Sequence, residues 1–197
     1  MNESKLRRWY LKKQLSVAEI ARKTGVSQNK INYWISKYKI PKRSISDATY
    51  LRYNPKGDPF IFKPPKTKDE WQLFGLGIGL FWGEGNKRNK NSIRLGNVDP
   101  RLIMAYMTFL NKIYGIDKDK LKFGLQIFSD ISPVAAQRFW MNKLGVRKSQ
   151  FQKIIITPSR GTGSYRNKNQ YGVLTVYFNN TKLKKMFDSL IENFPSL

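Results

Sequence analysis

Glycine recurs at every fourth position in an apolar segment of this chain, at Gly75, Gly79 and Gly83 within residues 71–85. This spacing places the three glycines on one face of a helix. Each glycine inside a helix costs about 1 kcal/mol relative to alanine, and the Leu, Phe, Ile and Trp residues between them argue against a flexible loop. The pattern predicts a helix whose glycine face allows a second helix to approach closely.

These glycines do not match the common phosphate-binding motifs. In the two GxGxxG registers that begin at Gly75 and Gly77, Leu80 and Trp82 occupy the position of the third glycine. No GxxxxGK[ST] sequence occurs either. The segment therefore does not predict a nucleotide-binding loop.

The composition limits the chemistry available to the chain. Its 197 residues include no Cys and no His. This excludes disulfide frameworks, Cys-ligated zinc, thiol nucleophiles, HExxH zinc sites and histidine bases. Any catalysis would use carboxylates, Lys, Tyr, hydroxyl groups or a bound metal.

The chain is strongly basic, with 37 Lys and Arg against 13 Asp and Glu and a formal charge of +24. The surplus is shared equally between residues 1–66 and 67–197. Such a surplus repels itself unless a polyanion neutralises it, and nucleic acid is the expected partner; a ribosome or an anionic membrane surface is the alternative. Residues 1–13 do not resemble a signal peptide, and the longest apolar run, 73–83, is too short to span a membrane. We expect a soluble, intracellular protein that is cytoplasmic and has no membrane partner.

The chain divides into three parts by pattern. Residues 1–38 read as helices, residues 39–66 as a basic, proline-rich linker, and residues 67–197 as a larger domain of alternating helices and strands, which is an α+β fold. Helices are predicted at 68–83, 100–114, 133–144 and 181–194, and strands at 92–98, 120–128, 151–157 and 172–178.

Alternation along the predicted strands indicates a sheet with two different faces. In residues 121–127 the odd positions are all apolar and the even positions are Lys, Gly and Gln, and Arg94 points away from its apolar neighbours. These strands carry no acid before Asp130. An open basic face of this kind favours a saddle for DNA over a merely solvated surface, which normally mixes both signs of charge.

The N-terminal part resembles a helix-turn-helix DNA-binding motif. Ser16 and Glu19 have the spacing of a capping box, Gly25 suits the tight turn, and Ser27 caps a second helix at 28–37. A helical hairpin for protein contacts is the alternative. On the DNA-binding interpretation, the residues that contact DNA are Ser27, Gln28, Asn29, Lys30, Asn32 and Tyr33, followed by Lys42 and Arg43.

Residues 77–85 are similar to the nine-residue signature of the LAGLIDADG homing endonucleases. Gly79, Leu80 and Gly85 match it outright, and Phe81 and Gly83 are conservative replacements. Glu84 stands at the position of the catalytic acid. The departures are Gly77 and Ile78 at the start and Trp82 in place of the first Asp of the signature.

The resemblance implies an αββαββα core that sits as a saddle on DNA. Because the signature occurs once, it also implies a homodimer with Gly75, Gly79 and Gly83 at the interface and a pseudo-palindromic double-stranded target. The paired Glu84 carboxylates, with the Gly83 carbonyl, would bind Mg²⁺ or another divalent cation for phosphodiester hydrolysis. Candidates for assisting catalysis are Lys122, Gln126 and Lys153, and candidates for DNA contact in this domain are Lys87, Arg88, Arg94, Lys122, Gln126 and Lys153.

Two other functions are compatible with the same residues. A protein with this fold that binds DNA without cutting it would act as a transcriptional regulator, and the helix-turn-helix resemblance fits that role. An RNA-directed role, such as assistance in intron splicing, is a further alternative.

Overall fold

The structure is a computed structural model that describes residues 1–159 and 170–193. The chain forms two compact units, an N-terminal unit at Met1–Asp58 and a C-terminal unit at Pro59–Leu197. In the part of the chain that is described, no helix combines the length and apolar character that crossing a membrane requires.

The N-terminal unit is helical. Its helices are α1 (Glu3–Arg7), which continues as a π-helical turn at Arg8–Lys12, α2 (Val17–Thr24), α3 (Gln28–Lys37) and α4 (Ile45–Tyr53). The first three helices enclose a small apolar core, because each presents a few aliphatic or aromatic side chains to the others. The buried residues of this core are Leu6, Tyr10, Ile20, Ala21, Ile31, Ile35 and Ile40.

The predicted helix, turn and helix at 16–37 are confirmed. The Ser16 hydroxyl accepts from the Glu19 N–H, and the Glu19 carboxylate accepts from the Ser16 N–H, which completes the capping box. Gly25 has φ +68°, a left-handed conformation that ends α2. The Ser27 hydroxyl accepts from the Lys30 N–H at the start of α3.

The segment predicted as a linker, 39–66, contains a helix. Helix α4 lies between Pro41 and Pro55, so the prolines flank it and do not interrupt it, and the Ser44 hydroxyl caps it by accepting from the Asp47 N–H. No residue of α4 is buried, which explains why no apolar periodicity revealed it.

The C-terminal unit is a mixed α+β fold, as predicted. Its strands pair in the order β1-β4-β2-β3; β2 and β3 are parallel and the other pairs antiparallel. Short 3₁₀ turns lie at Lys118–Lys120 and Lys148–Gln150. The elements in chain order are α5 (Lys68–Glu84), β1 (Ser92–Asn97), α6 (Pro100–Tyr114), β2 (Lys122–Phe128), α7 (Pro133–Leu144), β3 (Ile155–Thr157), β4 (Val173–Asn179) and α8 (Thr181–Glu192).

The order of elements differs in detail from αββαββα. The sequence predicts that the first hairpin of that order is abbreviated here and that the domain holds an extra helix. In the structure the hairpin is reduced to one bridge between Gly85 and Leu95, with the Asn86 N–H donating to the Arg94 carbonyl at 2.9 Å. Helix α7 stands between β2 and β3 because parallel neighbouring strands need a crossover connection.

Two predicted strands begin later than expected. The side-chain amide of Gln150, which is buried, donates to the carbonyls of Lys118 and Leu121 at 2.8 and 3.1 Å. These bonds tie the two 3₁₀ turns together, so β2 begins at Lys122 instead of residue 120 and β3 at Ile155 instead of residue 151.

The sheet buries one face under the helices. Phe123, Leu125 and Ile127 are buried, whereas Lys122 is half-buried and Gln126 exposed, as the alternation predicts. Side chains of α5, α6, α7 and α8 join the buried strand residues in one core. The opposite face carries the residues discussed below.

The segment at residues 60–63 docks on the end of α6. The Ile61 N–H donates to the Tyr114 carbonyl at 2.9 Å, and the Lys63 N–H donates to the Ile113 carbonyl at 2.7 Å. Carbonyls in the last turn of a helix lack intrahelical donors, so this segment satisfies two of them. Phe60 is buried in the core beside them.

Candidate functional site

The predicted glycine face of α5 is open. A methyl group placed at Gly75, Gly79 or Gly83 would meet no other described atom within 4 Å. Around these glycines, Trp71, Leu76 and Trp82 expose 56%, 50% and 48% of their surface. The face is apolar and free of bulk along its centre, and within the described residues nothing of its own chain covers the three glycines.

Gly77 serves a different contact, on the opposite side of α5. A methyl group there would lie 2.1 Å from Cγ of Phe109 on α6, far closer than two carbon atoms can approach without a bond. Gly77 is buried, and so are Ile78 and Phe81 beside it. Helix α5 therefore uses glycine for close packing inside the chain at one position and leaves the other face unfilled.

Glu84 is the last residue of α5, and its side chain is exposed. A carboxylate is unfavourable at the C-terminal end of a helix, where the dipole is negative, by about 0.3–1 kcal/mol. Only glycine fits directly after it, because a side chain at Gly85 would lie 2.2 Å from the Phe81 carbonyl. The helix dipole therefore does not account for an acid at position 84.

An open pocket of about 530 Å³ lies beside Glu84. Its lining comes from the end of α5, from the loop at 85–91 and from the open face of β1 and β4. Three of its side chains are cationic and one is anionic, so the pocket favours an anion with several oxygen atoms, with the carboxylate at its edge. The lining residues are Glu84, Asn86, Lys87, Arg88, Arg94, Gly96 and Thr175.

Arg94 is held in place by two neighbours on the sheet. Its Nε donates to the Ser92 hydroxyl at 2.6 Å, and its guanidinium lies 5.2 Å from the centre of the Tyr177 ring. Burial raises the pKa of the Tyr177 hydroxyl, which the charge of Arg94 partly opposes, so this hydroxyl stays protonated at neutral pH. No hydrogen bond from the Nη atoms of Arg94 is found among the described residues, so these atoms can donate to an anion in a bidentate contact.

Cross-strand register forms two rows on the open sheet face. Arg94, Tyr177 and Lys122 lie side by side on β1, β4 and β2. The neighbouring row is Gly96, Thr175 and Gly124. Small side chains in the second row form a shallow trough beside the basic and aromatic row, and none of these six residues is acidic.

The structure brings some of the predicted residues of the C-terminal unit together and separates others. Glu84, Lys87, Arg88 and Arg94 share the pocket. The other three predicted residues do not line the pocket. Lys122 lies on β2, beside Tyr177 of β4. Gln126 donates from its side chain to the hydroxyl of Thr157 on β3 at 3.1 Å, and Lys153 is exposed in the segment before β3.

Three residues of the pocket lining were not predicted from the sequence: Asn86, Gly96 and Thr175. Asn86 directly follows the nine-residue segment, so its position next to the acid was a usable signal. Thr175 alternates with the buried Leu174 and Val176, which places it on the open face. That Thr175 lies close to Arg94 depends on the order of the strands in the sheet, which the sequence pattern does not determine.

In the N-terminal unit the six predicted contact residues at the start of α3 are all exposed: Ser27, Gln28, Asn29, Lys30, Asn32 and Tyr33. Tyr33 exposes 60% of its surface, and the Lys37 ammonium lies 6.0 Å from its ring centre. This end of α3 therefore presents amides, a hydroxyl, a cation and an aromatic ring together, which are the groups that read base edges and phosphates.

The two basic residues predicted after α3 differ from each other. Lys42 is exposed. The guanidinium of Arg43, in contrast, donates to the carbonyls of Tyr10 and Leu15 and lies 4.2 Å from the Tyr10 ring centre. Within its own unit Arg43 thus holds the chain after α3 against the π-helical turn and the residues that follow it, and its contact with DNA stays a prediction.

Known proteins offer no direct guide to this site: no protein-family model, curated protein or solved structure matches the chain. The similarity to LAGLIDADG endonucleases therefore rests on residues 77–85. Function has to be argued from the chemistry of the site.

Proposed function

We propose that the chain is a sequence-specific DNA endonuclease that acts as a homodimer with a divalent metal ion. The observation that carries the proposal is the unfilled glycine face of α5, which ends at an exposed Glu84 beside a cationic pocket. In the single chain none of the described residues packs on the three glycines, and Glu84 stays exposed. Both have a use if a second copy brings its own α5 alongside.

The proposed dimer pairs two copies of α5 along Gly75, Gly79 and Gly83. Glycine allows the two backbones to approach closely, and the exposed Trp71 and Leu76 would be removed from water at the same time. A twofold axis along this face places the same residues of both copies opposite one another. The two Glu84 side chains would then lie at one end of the interface.

A divalent cation fits the donors that this arrangement offers. Glu84 provides a carboxylate, and the Gly83 carbonyl belongs to the last turn of α5, where carbonyls lack an intrahelical donor. Hard oxygen donors of this type suit Mg²⁺, which takes few protein ligands and completes its shell with water and phosphate oxygens. Among the described residues no group of three or more acidic side chains forms a metal site within one chain, which agrees with a site shared by two copies.

The chain's own residues have separate tasks in phosphodiester hydrolysis. Lys87, Arg88 and Arg94 bind the phosphate and neutralise the charge that develops on it, and Arg94 is held in place for this by Ser92 and Tyr177. Paired Glu84 carboxylates hold the cation, because two close carboxylates repel each other without one. When bound, Mg²⁺ would supply an activated water and stabilise the leaving oxygen.

The N-terminal unit extends the recognised sequence in this proposal. The exposed start of α3 carries Gln28 and Asn29, whose amides pair with adenine in the major groove. Lys30 adds a contact to guanine or phosphate. This unit therefore supplies base-specific contacts beyond those of the open sheet face.

A second candidate function is a DNA-binding regulator that does not cut. It is favoured by one observation: Lys122, Gln126 and Lys153, the residues first considered as catalytic helpers, do not line the pocket with Glu84. The cationic pocket and α3 would serve DNA binding equally well in such a protein.

A cleavage assay distinguishes the two functions. Supercoiled and linear DNA that contains the region flanking the chain's own coding sequence is incubated with Mg²⁺ and the wild type, Glu84→Gln or Asp69→Asn. Asp69 is an exposed acid at the other end of α5 and serves as the matched control. For an endonuclease, the wild type and Asp69→Asn cut, whereas Glu84→Gln binds DNA and does not cut. Binding without cutting by all three proteins would establish the regulator instead.

A further inference from the structure

One lysine of the C-terminal unit is buried where three segments meet. Lys184, in the first half of α8, exposes 1% of its surface. Its ammonium donates to the carboxylate of Asp188 one turn further along α8 and to the Lys87 carbonyl at 3.4 Å. It also lies 5.8 Å from the ring centre of Phe81 in the last full turn of α5. A single charge thus contacts α8, the end of α5 and the loop at 85–91.

This position is unfavourable for a lysine unless the charge has a task. Burial removes the hydration of the ammonium, and a salt bridge offsets that loss only with further hydrogen bonds. The first half of a helix also disfavours a cation. An unbranched apolar side chain would fill the same space without either penalty, so the packing of α8 does not by itself explain Lys184.

The loop that Lys184 contacts forms one wall of the candidate site. It begins after Glu84 and carries Lys87 and Arg88 into the pocket. The start of the loop is tied to β1, because the Asn86 N–H donates to the Arg94 carbonyl at 2.9 Å. Further along, its hydrogen bonds are local: the Asn89 N–H donates to the Asn86 side chain at 3.1 Å, and the Asn91 N–H donates to the Asn89 side chain at 2.9 Å. The contact of Lys184 with the Lys87 carbonyl connects this loop to α8, on the helical side of the sheet.

We propose that Lys184 is a positioning residue that holds the loop at 85–91 so that Lys87 and Arg88 face the phosphate bound beside Glu84. The Asp188 carboxylate orients the ammonium, and the Lys87 carbonyl accepts a hydrogen bond from it. Lys184 itself does not touch the phosphate, because its ammonium is enclosed by Phe81, Asp188 and the loop. The inference rests on the proposed function in one respect, namely that the anion in the pocket is a DNA phosphate.

The first test needs no DNA. Lys184→Met keeps the length of the side chain and removes its charge, and it leaves Asp188 36% exposed and therefore still hydrated. Hydrogen exchange is measured on this variant and on Leu183→Val, which alters a buried neighbour on the same helix. We expect Lys184→Met to speed exchange at residues 86–91 by about tenfold while β4 keeps its protection. Unchanged protection of the loop, or equal acceleration in Leu183→Val, would overturn the proposal.

The second test measures DNA binding at a series of salt concentrations. A plot of log K against log salt concentration has a negative slope. Loss of two phosphate contacts makes the plot less steep, reducing the magnitude of that slope by about 1.8. We expect Lys184→Met to show this decrease and Lys184→Arg to recover part of the slope. In a Lys87→Ala/Arg88→Ala double variant, adding Lys184→Met should not reduce the slope any further. A wild-type slope in Lys184→Met would overturn the positioning role. If the wild type itself binds no DNA, the proposed function fails, and hydrogen exchange still decides whether Lys184 holds the loop.

Discussion

Two tyrosines in the core of the C-terminal unit carry hydroxyl groups that have no hydrogen-bond partner among the described residues, Tyr106 and Tyr114. Burial raises the pKa of both hydroxyls well above the ordinary range, so both remain neutral. Their rings pack well, with centroids 5.8 and 5.5 Å from that of Phe109. At this scale each ring stabilises the core, whereas each buried hydroxyl costs free energy.

Removal of one such hydroxyl is predicted to stabilise the protein. Tyr106→Phe keeps the ring and deletes an unsatisfied polar atom, so we expect the free energy of unfolding to rise by about 1 kcal/mol. Urea denaturation measures this change. Tyr177→Phe serves as the control, since Tyr177 is only partly buried on the open face, and it should leave stability nearly unchanged. A lower stability of Tyr106→Phe would mean that the hydroxyl has a partner in solution.

At the scale of elements, α5 shows how one residue type serves two purposes in one helix. Gly77 lets α5 pack directly on Phe109, and no other residue fits there without moving the ring. Gly79, two positions further, has open space on its side of the helix. The four-residue spacing in the sequence places Gly79 on the same face as Gly75 and Gly83, but it does not show that Gly77 packs against Phe109, which the structure does.

Substitutions at these two positions are predicted to separate folding from assembly. Gly77→Ala places a methyl group 2.1 Å from Cγ of Phe109, so the ring has to move. Overpacking of this kind costs about 1–3 kcal/mol of stability. An added Cβ at Gly79 meets none of the described neighbouring residues within 4 Å. We therefore expect Gly79→Leu to fold normally but to block the approach of a second α5 and remain monomeric. Urea denaturation measures the first effect and sedimentation velocity the second. A Gly79→Leu variant that dimerises like the wild type would show that the dimer uses another surface.

Helices were predictable from the sequence because their ends are encoded locally. Asp99 with Pro100, and Ser132 with Pro133, start α6 and α7, and a left-handed glycine ends each of them. Helix α4 was not predictable, because it buries nothing and shows no periodicity. The starts of β2 and β3 were also misplaced, since the buried Gln150 that fixes them acts through contacts with residues about thirty positions away.

At the scale of the whole molecule, the candidate site was predictable only in part. Glu84 and Arg94 were identified from a motif and from strand alternation, and both line the pocket. The bridge between Gly85 and Leu95 brings Glu84 and Arg94 close to each other. Their proximity to Thr175 depends on β4 pairing with β1, a long-range pairing that local patterns do not encode. Lys153 was considered as a helper of Glu84, but it lies beside β3, at the opposite edge of the sheet from β1. The order of the strands, which separates the two residues, cannot be determined from local patterns.

The charge of +24 predicts binding to DNA, and the proposed twofold symmetry predicts how two chains are arranged on it. A dimer related by a twofold axis presents identical surfaces to the two halves of its target, so the bound sequence should be roughly palindromic about its centre. We expect a hydroxyl-radical footprint that is symmetric and a stoichiometry of two chains per duplex. Glu84→Gln should give the same footprint, because it leaves the basic residues of the pocket and of α3 intact. An asymmetric footprint that saturates at one chain per duplex would exclude the paired arrangement of α5 and, with it, a metal site shared between two Glu84 carboxylates.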